Sequence, residues 1–231
     1  MSAGSTVTFK VVGKANAVGT GTFAEGDSFL ASYSSASVET TSTGAPFSSS
    51  ITGSSTGYAQ RFYSTGLSAS DFTATKTETT DSGNITRQSW DISYKLTAFG
   101  DTYYVPKTTV RGLTTAAHTT QGAEVNLETS AGVASGLGTL SISGITSTAD
   151  TVGSAFEIPD GETKTFHFTV ALTSTDDAAI TGHAALTVPA YYQIQLTTLR
   201  YDDSSGLGSL AADYTPVPAQ DFQTGQGQIT Q

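Results

Sequence analysis

The chain has 231 residues, with 10 Lys and Arg against 20 Asp and Glu, so its formal net charge is −10. Scarce positive charge argues against nucleic-acid binding, and the lack of Cys excludes disulfide scaffolds, Cys-ligated zinc, iron–sulfur clusters and thiol catalysis. Charged residues are only 13% of the chain, and hydroxyl side chains replace them, with 41 Thr and 29 Ser. Apolar residues at 37% suffice for a core, and no apolar run is long enough to span a membrane.

The hydrophobic pattern has a period of two along most of the chain, which predicts β-strands. In Ile85–Phe99 the apolar residues from Trp90 to Ala98 alternate with polar ones, which indicates one buried and one solvated face. No segment has sustained helical spacing, and Asp176–Leu186 predicts no more than one helical turn because Gly182 interrupts it. In chain order, the predicted strands are Thr6–Val12, Phe29–Val38, Phe72–Thr80, Ile85–Phe99, Tyr103–Val110, Glu124–Glu128, Thr139–Ile145, Thr163–Thr173 and Tyr191–Tyr201.

Turn sequences separate these strands. Asp81-Ser-Gly-Asn84 predicts a β-hairpin turn, Pro159-Asp-Gly161 predicts a tight turn, and Gly100-Asp101 predicts a strand break. Pro106 indicates an edge or a short strand, because proline cannot donate to a sheet ladder. Many short strands with glycine-rich turns predict an all-β fold, an Ig-like or jelly-roll-like antiparallel β-sandwich with essentially no helix.

One stretch of low complexity, Thr40–Gly57, predicts a long polar loop or a linker. We therefore predict an N-terminal β segment over residues 1–39, a Ser/Thr/Gly-rich loop or linker over residues 40–60, and a main β-sandwich over residues 61–231. The N-terminal segment is expected to pack on the main unit or on a neighbouring chain. The first residues have neither the basic region nor the apolar region of a secretory signal, which fits a removed leader or a virion protein.

Catalytic motifs have little support in this sequence. Gly53-Ser-Ser-Thr-Gly57 matches the G-x-S-x-G elbow of hydrolases, but it lies in the low-complexity stretch, where a chance match is expected. The three histidines, His118, His167 and His183, have no spacing typical of metal ligands. We therefore predict that the chain is not an enzyme.

Two pairs of adjacent acids follow predicted strands. Asp176, Asp177, Asp202 and Asp203 are candidate calcium ligands, because loop carboxylates supply the oxygen atoms that Ca²⁺ prefers. The alternative is that they are solvated loop residues that protect strand ends from pairing. Calcium is the one cofactor that the sequence suggests.

Aromatic residues suggest a contact for a glycan. Trp90 shares a face with apolar residues of its strand, so it is predicted to lie in the core. Tyr191 and Phe99 lie on the faces opposite the core, and with Tyr104 they are the candidate exposed aromatics for a binding surface.

Three segments carry a resemblance to a known family. These are Gln88–Pro106 (QSWDISYKLTAFGDTYYVP), Phe156–Val170 (FEIPDGETKTFHFTV) and Tyr192–Leu196 (YQIQL). They resemble the strand pairs of bacterial cell-surface Ig-like β-sandwich modules of the S-layer and adhesin type, as in ultrasmall candidate-phyla bacteria. The resemblance implies an extracellular, non-enzymatic, structural or adhesive role, and it brings no catalytic residues.

The function we expect is that of an extracellular structural or interaction protein of a cell-surface layer, a filament or an adhesin. Its partners would be copies of itself or other surface proteins, bound through strand edges, with Thr6–Val12 as the segment expected to pair. No nucleic acid and no membrane span are expected, and a glycan is a possible ligand. A virion structural protein, such as a jelly-roll capsid or tail component, is the alternative function. A carbohydrate- or calcium-binding β-sandwich module is the further alternative.

Overall fold

The fold was determined from a computed structural model of the chain. The predicted strand Thr6–Val12 lies outside the described residues, and within the predicted linker 40–60 only residues 55–56 and 60 are described. The chain divides into two compact units, Met1–Ser64 and Thr65–Gln231. The structure describes residues 63–112, 120–129, 132–133, 137–178, 184–208, 212–216 and 218–230, together with residues 27–29, 32–33, 55–56, 60–61, 182 and 210.

The described residues of the first unit form four short strands. Strand β1 pairs with β4, and β2 pairs with β3, both antiparallel. Of the predicted strand Phe29–Val38, the structure describes only Phe29 and residues 32–33. The strands are β1 (Ser28–Phe29), β2 (Ser32–Tyr33), β3 (Ser55–Thr56) and β4 (Gln60–Arg61).

The second unit consists almost entirely of strands, so the predicted all-β fold with essentially no helix is confirmed. Its one helix among the described residues is a single 3-10 turn, Ala219–Phe222, and the described part of Asp176–Leu186 contains no helix. The strands are β5 (Gly66–Asp81), β6 (Asn84–Phe99), β7 (Tyr103–Pro106), β8 (Thr109–Arg111), β9 (Ala123–Thr129), β10 (Gly132–Val133), β11 (Thr139–Ile142), β12 (Thr146–Ser147), β13 (Asp150–Val152), β14 (Ala155–Ile158), β15 (Thr163–Thr173), β16 (Ala190–Tyr201), β17 (Ala212–Tyr214) and β18 (Gly227–Ile229).

Two sheets pack face to face as a β-sandwich. The first sheet has the order β11–β15–β6–β5, and β12 also pairs with β15. The second has the order β10–β9–β16–β17, with β18 on β16 and β8 on β9. A three-stranded sheet, β13–β14–β7, adjoins them. The strand pairs are antiparallel, as predicted, except β8–β9, which is the one parallel pair among the named strands of the described part of the chain.

The core lies between the two sheets and follows the predicted alternation. On β6, every second residue from Trp90 to Ala98 is completely buried, while the residues between them are half-buried or exposed. Buried side chains from β15 in the same sheet, and from β9 and β16 in the facing sheet, complete the same cluster. Inside it, the ring of Tyr94 stacks on Phe166 at a centroid distance of 5.6 Å. Burial of this apolar area is the main stabilising contribution to the fold.

The turns form where the sequence predicts them. Ser82 and Gly83 have φ angles of 50° and 86°, and positive φ at both central residues is typical of the two-residue turn that joins β5 to β6. Gly161 has a φ of 75°, and the amide of Glu162 donates to the carbonyl of Pro159 at 3.0 Å, which closes the predicted tight turn. The predicted strand Tyr103–Val110 is two strands, because β7 ends at Pro106.

The C-terminal segment connects one side of the two sheets. Strand β18 pairs with β16 of the second sheet, and the amide of Thr230 donates to the carbonyl of Ile85 on β6 at 3.0 Å. The indole Nε1 of Trp90 donates to the carbonyl of Gly225 at 3.0 Å. The segment therefore seals the core beside β6 from Trp90 to Ile85, the residues that pair with Lys76 and Thr80 of β5.

Candidate interaction edge

Strand β5 forms the outer edge of the first sheet. It is 16 residues long, and β6 is its only partner strand among the described residues. From Thr73 to Asp81 its residues are exposed, apart from Ala74, which is half-buried. We call the outer side of residues 73–81 the open edge. Such an edge presents a row of main-chain N–H and C=O groups that a further strand is able to pair with.

The first half of β5, residues 66–72, is less exposed than the open edge, because several of its side chains pack against the core. Leu67 is 4% exposed, and the ring of Phe72 meets Phe222 of the 3-10 helix edge to face, with centroids 5.8 Å apart. A shallow depression of about 490 Å³ lies between this half of β5 and the helix. Its lining consists of Ala69, Ser70, Asp71, Phe72, Asp221 and Phe222.

A β-bulge separates the two halves of β5. The register with β6 shifts by one residue between Ser70 and Thr73, and Asp71 has a φ of 50°. The carboxylate of Asp71 forms an ion pair of 2.8 Å with the ammonium group of Lys95. After the bulge, the even-numbered residues of β5 lie on the core side of the sheet, because a one-residue shift exchanges the two faces.

Two charged residues occupy the core side of the open edge. Lys76 and Glu78 pair with Trp90 and Gln88 of β6, and their own charged groups lie 3.1 Å apart. The ammonium group of Lys76 also donates to the carbonyl of Gln226 at 3.2 Å. Charges that point toward the core side protect an edge strand from indiscriminate pairing. A partner strand must therefore offer complementary charges at these two positions.

The opposite face of the open edge is lined by threonines. Thr73, Thr75, Thr77 and Thr79 alternate with the core-side residues, and the edge contains neither glycine nor proline. Threonine has a high β propensity because its branched side chain fits a pleated, half-solvated surface. The sequence therefore favours an extended backbone along the whole open edge, with its main-chain groups in place for pairing.

The predicted calcium ligands lie at opposite ends of the sandwich. Asp176–Asp177 follow β15, whose last residue pairs with Arg87 near the start of β6. Asp202–Asp203 follow β16, and Asp202 pairs with Tyr104 just beyond the end of β6. The stretch of β6 from Arg87 to Phe99, roughly 40 Å long at about 3.3 Å per residue, lies between these two positions. The four carboxylates therefore do not form one site.

Each acidic pair has its own local contacts. Asp177 faces Arg111, whose guanidinium donates to the carbonyls of Gly138 and Leu137 at 2.7 and 2.5 Å. Burial lowers the pKa of Arg111, and the carboxylate of Asp177 opposes that shift. Asp202 is buried, and its Oδ1 accepts from the amide of Ser204 at 3.0 Å. Within the described part of the chain, no three His, Asp or Glu residues are grouped as a metal site.

The predicted aromatic residues are also dispersed. Tyr191 at the start of β16 is 59% exposed, whereas Phe99 and Tyr104 are half-buried. Tyr104 lies near the far end of β16, and its hydroxyl donates to a carboxylate oxygen of Glu157 at 2.9 Å. This hydrogen bond and partial burial raise the pKa of Tyr104. The three rings therefore form no common platform.

A polar cluster on the second sheet was not predicted from the sequence. Glu128 Oε2 accepts from the side-chain amides of Gln223 and Gln193 at 2.9 and 3.4 Å, and Tyr191 lies on the same face as Gln193. The alternation along β16 places its glutamines on the outer face. Their partner Glu128 is 65 residues away from Gln193 and 95 from Gln223, so no local pattern connects the three.

The catalytic motifs acquire no supporting context in the described residues. Ser55 lies within strand β3, whereas the hydrolase elbow requires its serine at a turn between a strand and a helix. His167 on β15 contacts the carboxylate of Asp91 on β6, with 2.5 Å between Nε2 and Oδ1, as a cross-strand pair. His118 and His183 lie outside the described residues.

A search for membrane-spanning helices and comparisons with known proteins complete the description of the chain. Over the part of the chain that the structure describes, no helix is both long enough and apolar enough to cross a membrane. No protein-family model, no curated protein and no solved structure matches the chain.

Proposed function

We propose that this chain is a non-enzymatic structural or interaction protein that associates with copies of itself through a strand edge. The observation that carries the proposal is the open edge of β5, nine residues from Thr73 to Asp81 without a second partner strand among the described residues. Strand addition to such an edge is a common mode of protein association, in which main-chain hydrogen bonds supply the affinity.

The free energy of pairing two open edges is close to the cost of bringing two molecules together, so the association is expected to be reversible. Two nine-residue edges form about nine main-chain hydrogen bonds when they pair. Each contributes roughly 0.5–1.5 kcal/mol, while bringing two molecules together costs roughly 4–15 kcal/mol. Because these ranges overlap, we expect an equilibrium between monomer and oligomer that depends on protein concentration.

The biological setting we propose is a cell-surface layer, a filament or an adhesin outside the cell. A low share of charged residues and a threonine-lined sheet support this setting, as does the resemblance to bacterial surface modules. Immunogold labelling of intact cells tests it. Label on the cell surface supports the proposal, whereas recovery of the chain in purified virus particles replaces it with the alternative of a virion structural protein.

Sedimentation of the full-length protein over a wide concentration range tests self-association. We expect the weight-average mass to rise with concentration, and hydrogen exchange to slow in parallel at the outward-facing β5 amides, the alternate ones that do not donate to β6. Amides of β15 in the sheet interior are the internal control, because their exchange does not depend on an edge contact. A constant monomer mass, or an oligomer in which the outward-facing β5 amides exchange as fast as in the monomer, would contradict the proposal.

Saccharide binding is a second candidate function, supported by the polar cluster on the second sheet. Glu128 orients the amides of Gln193 and Gln223, and the exposed ring of Tyr191 lies beside them. Fixed amides and a carboxylate pair well with sugar hydroxyls, and an aromatic face packs on a sugar ring. The cluster therefore offers both kinds of contact that a saccharide uses.

A glycan array with the wild-type protein and two variants tests this second function. We expect Glu128→Ala and Tyr191→Ala each to lose binding to the same glycans. Tyr63→Ala is the matched control, since Tyr63 is 51% exposed and belongs to the other unit of the chain. An array without a signal for the wild-type protein rules out the saccharide function and leaves the strand-edge proposal unaffected.

A further inference from the structure

The open edge also specifies its partner, an inference that rests on the proposed function. We propose that β5 pairs antiparallel with β5 of a second copy of this chain, with Thr77 opposite Thr77 of the copy. The juxtaposition of Lys76 and Glu78 around the midpoint of the open edge carries the proposal.

Symmetry limits the registers that two identical edges can adopt. A two-fold axis perpendicular to the sheet keeps the core sides of both copies on the same side. Core-side residues then face core-side residues, so even-numbered positions of β5 lie opposite even-numbered positions. The remaining choice is which residue lies on the axis.

Charge complementarity selects one register. With Thr77 on the axis, Lys76 of each copy lies opposite Glu78 of the other, so two pairs of opposite charge form. With Lys76 on the axis, the two lysines face each other, and with Glu78 on the axis, the two glutamates do. Like charges directly opposite each other destabilise a strand pair, and opposite charges stabilise it.

The number of paired residues in the two open edges selects the same register, independently of charge. Thr77 is the midpoint of residues 73–81, so pairing about it engages the whole open edge and places Thr73 opposite Asp81 of the copy. Every other axis position leaves part of the edge unpaired. In each copy, β6 and β15 continue the ladder from β5. Joining the two five-stranded sheets therefore gives one continuous sheet of ten strands in the dimer, because β12 also pairs with β15.

The resulting dimer closes on itself. Each copy uses its open edge fully, and a two-fold contact of this kind does not propagate. A layer or a filament therefore requires a second contact surface, and the dimer is its building block.

The lack of cysteine in the chain permits a direct test of the register in the full-length protein. In Thr77→Cys, the two thiols lie directly opposite each other across the pair, where Cα atoms are about 4.5–5.5 Å apart, within the range of a disulfide. We expect mild oxidation to give a covalent dimer. Thr73→Cys is the matched control, because its two copies are separated by eight residues, roughly 27 Å, and we expect no dimer.

Charge exchange tests the same register without a covalent bond. We expect Lys76→Glu and Glu78→Lys each to weaken the dimer by roughly tenfold, because both opposed pairs become like-charged. An equimolar mixture of the two variants is expected to form a heterodimer at wild-type strength, and the double variant is expected to restore self-association. Circular dichroism checks that each variant is folded.

The outcomes separate this inference from the proposed function. If the protein self-associates through β5 but Thr77→Cys gives no covalent dimer, or if charge exchange has no effect, the register is wrong and the proposed function stands. If the protein is monomeric at every concentration, both fail. If the outward-facing amides of the open edge, those that do not donate to β6, are protected even in the monomer, another part of the same chain occupies the edge, and the second copy is not the partner.

Discussion

Gly227 of β18 lies against the buried side chain of Gln88 on β6, so closely that a Cβ atom on Gly227 would stand 2.6 Å from Gln88 Cδ. The amide of that glutamine donates to the carbonyl of Thr77 at 2.9 Å. Gln88 is completely buried, and it connects the C-terminal segment to the middle of β5. The closeness of β18 to β6 therefore helps to fix the backbone that carries the open edge.

The first prediction concerns this contact. We expect Gly227→Ala to lower the free energy of unfolding by about 1–3 kcal/mol, because the buried Gln88 has no room to move away from the added methyl group. Gly225→Ala is the matched control, since no atom lies within 4 Å of the position that its Cβ would take. Urea denaturation followed by circular dichroism measures both. Equal stability of the two variants would show that the contact imposes no constraint.

The second prediction concerns Tyr94, whose buried hydroxyl has no hydrogen-bond partner in the described part of the chain. We expect Tyr94→Phe to leave the stability unchanged or to raise it by up to about 1 kcal/mol, because an unsatisfied buried hydroxyl is unfavourable. Tyr192→Phe is the comparison, since that buried hydroxyl donates to the carbonyl of Thr187 at 2.9 Å. We expect it to lower the stability by about 1 kcal/mol. Thermal denaturation measures the stability of both variants. A greater loss of stability for Tyr94→Phe than for Tyr192→Phe would contradict the conclusion that the Tyr94 hydroxyl has no hydrogen-bond partner.

The third prediction follows from the pKa of the same tyrosine. Complete burial raises the pKa of Tyr94 above its ordinary value of 10.0. The folded chain therefore retains a proton that the unfolded chain loses, so this contribution to stability is present below pH 10 and declines as the pH rises further. For one such group the decline is about 1.4 kcal/mol per pH unit. We expect Tyr94→Phe to flatten the stability profile above pH 10, measured by urea denaturation at a series of pH values, and an unchanged profile would contradict this role of Tyr94.

The fourth prediction concerns calcium. The two acidic pairs lie at opposite ends of the sandwich, and Asp177 faces Arg111, so the cation of a protein side chain already compensates its charge. We expect neither millimolar calcium chloride nor excess EDTA to change the Tm of the purified protein. Magnesium chloride at the same ionic strength is the control for screening of the net negative charge. A rise in Tm with calcium but not with magnesium would contradict the expectation.

Much of the fold follows from local sequence. From Gln88 to Ala98 the alternation of β6 is uninterrupted, and the predicted span Thr163–Thr173 agrees with the structure residue for residue. The first half of β5 was missed because the bulge at Asp71 reverses the alternation, so Leu67 and Ala74 lie on one face although their numbers differ in parity. The short strands β12 to β14 were missed because two to four residues contain no measurable period.

The open edge could not be predicted from local sequence, because it depends on contacts between residues far apart in the chain. Phe72–Thr80 was predicted as a strand, but its position at a sheet edge depends on strand order, which is set by contacts between distant parts of the chain. Phe72 is covered by Phe222 and the ammonium group of Lys76 contacts Gln226, each 150 residues further along. The threonine alternation indicated a solvated face correctly. Which strand carries an open edge required the structure.

The last prediction compares two ion pairs that differ in burial. Glu124 and Arg200 approach to 2.9 Å with side chains only 16% and 10% exposed, whereas Asp71 and Lys95 approach to 2.8 Å with side chains 62% and 44% exposed. We expect Glu124→Gln to lower the free energy of unfolding by roughly 1–3 kcal/mol, because it weakens the compensation of a buried guanidinium.

Asp71→Asn is the matched control for that variant. It removes the same charge from an exposed pair, and asparagine tolerates the φ of 50° at this position, so we expect a loss below about 1 kcal/mol. Because both variants change the net charge equally, urea denaturation at low and at high salt separates burial from screening. We expect salt to reduce the loss for Asp71→Asn and to leave the loss for Glu124→Gln nearly unchanged, since salt screens a largely buried pair much less than an exposed one. Equal losses for the two variants, or equal salt dependence, would contradict the distinction.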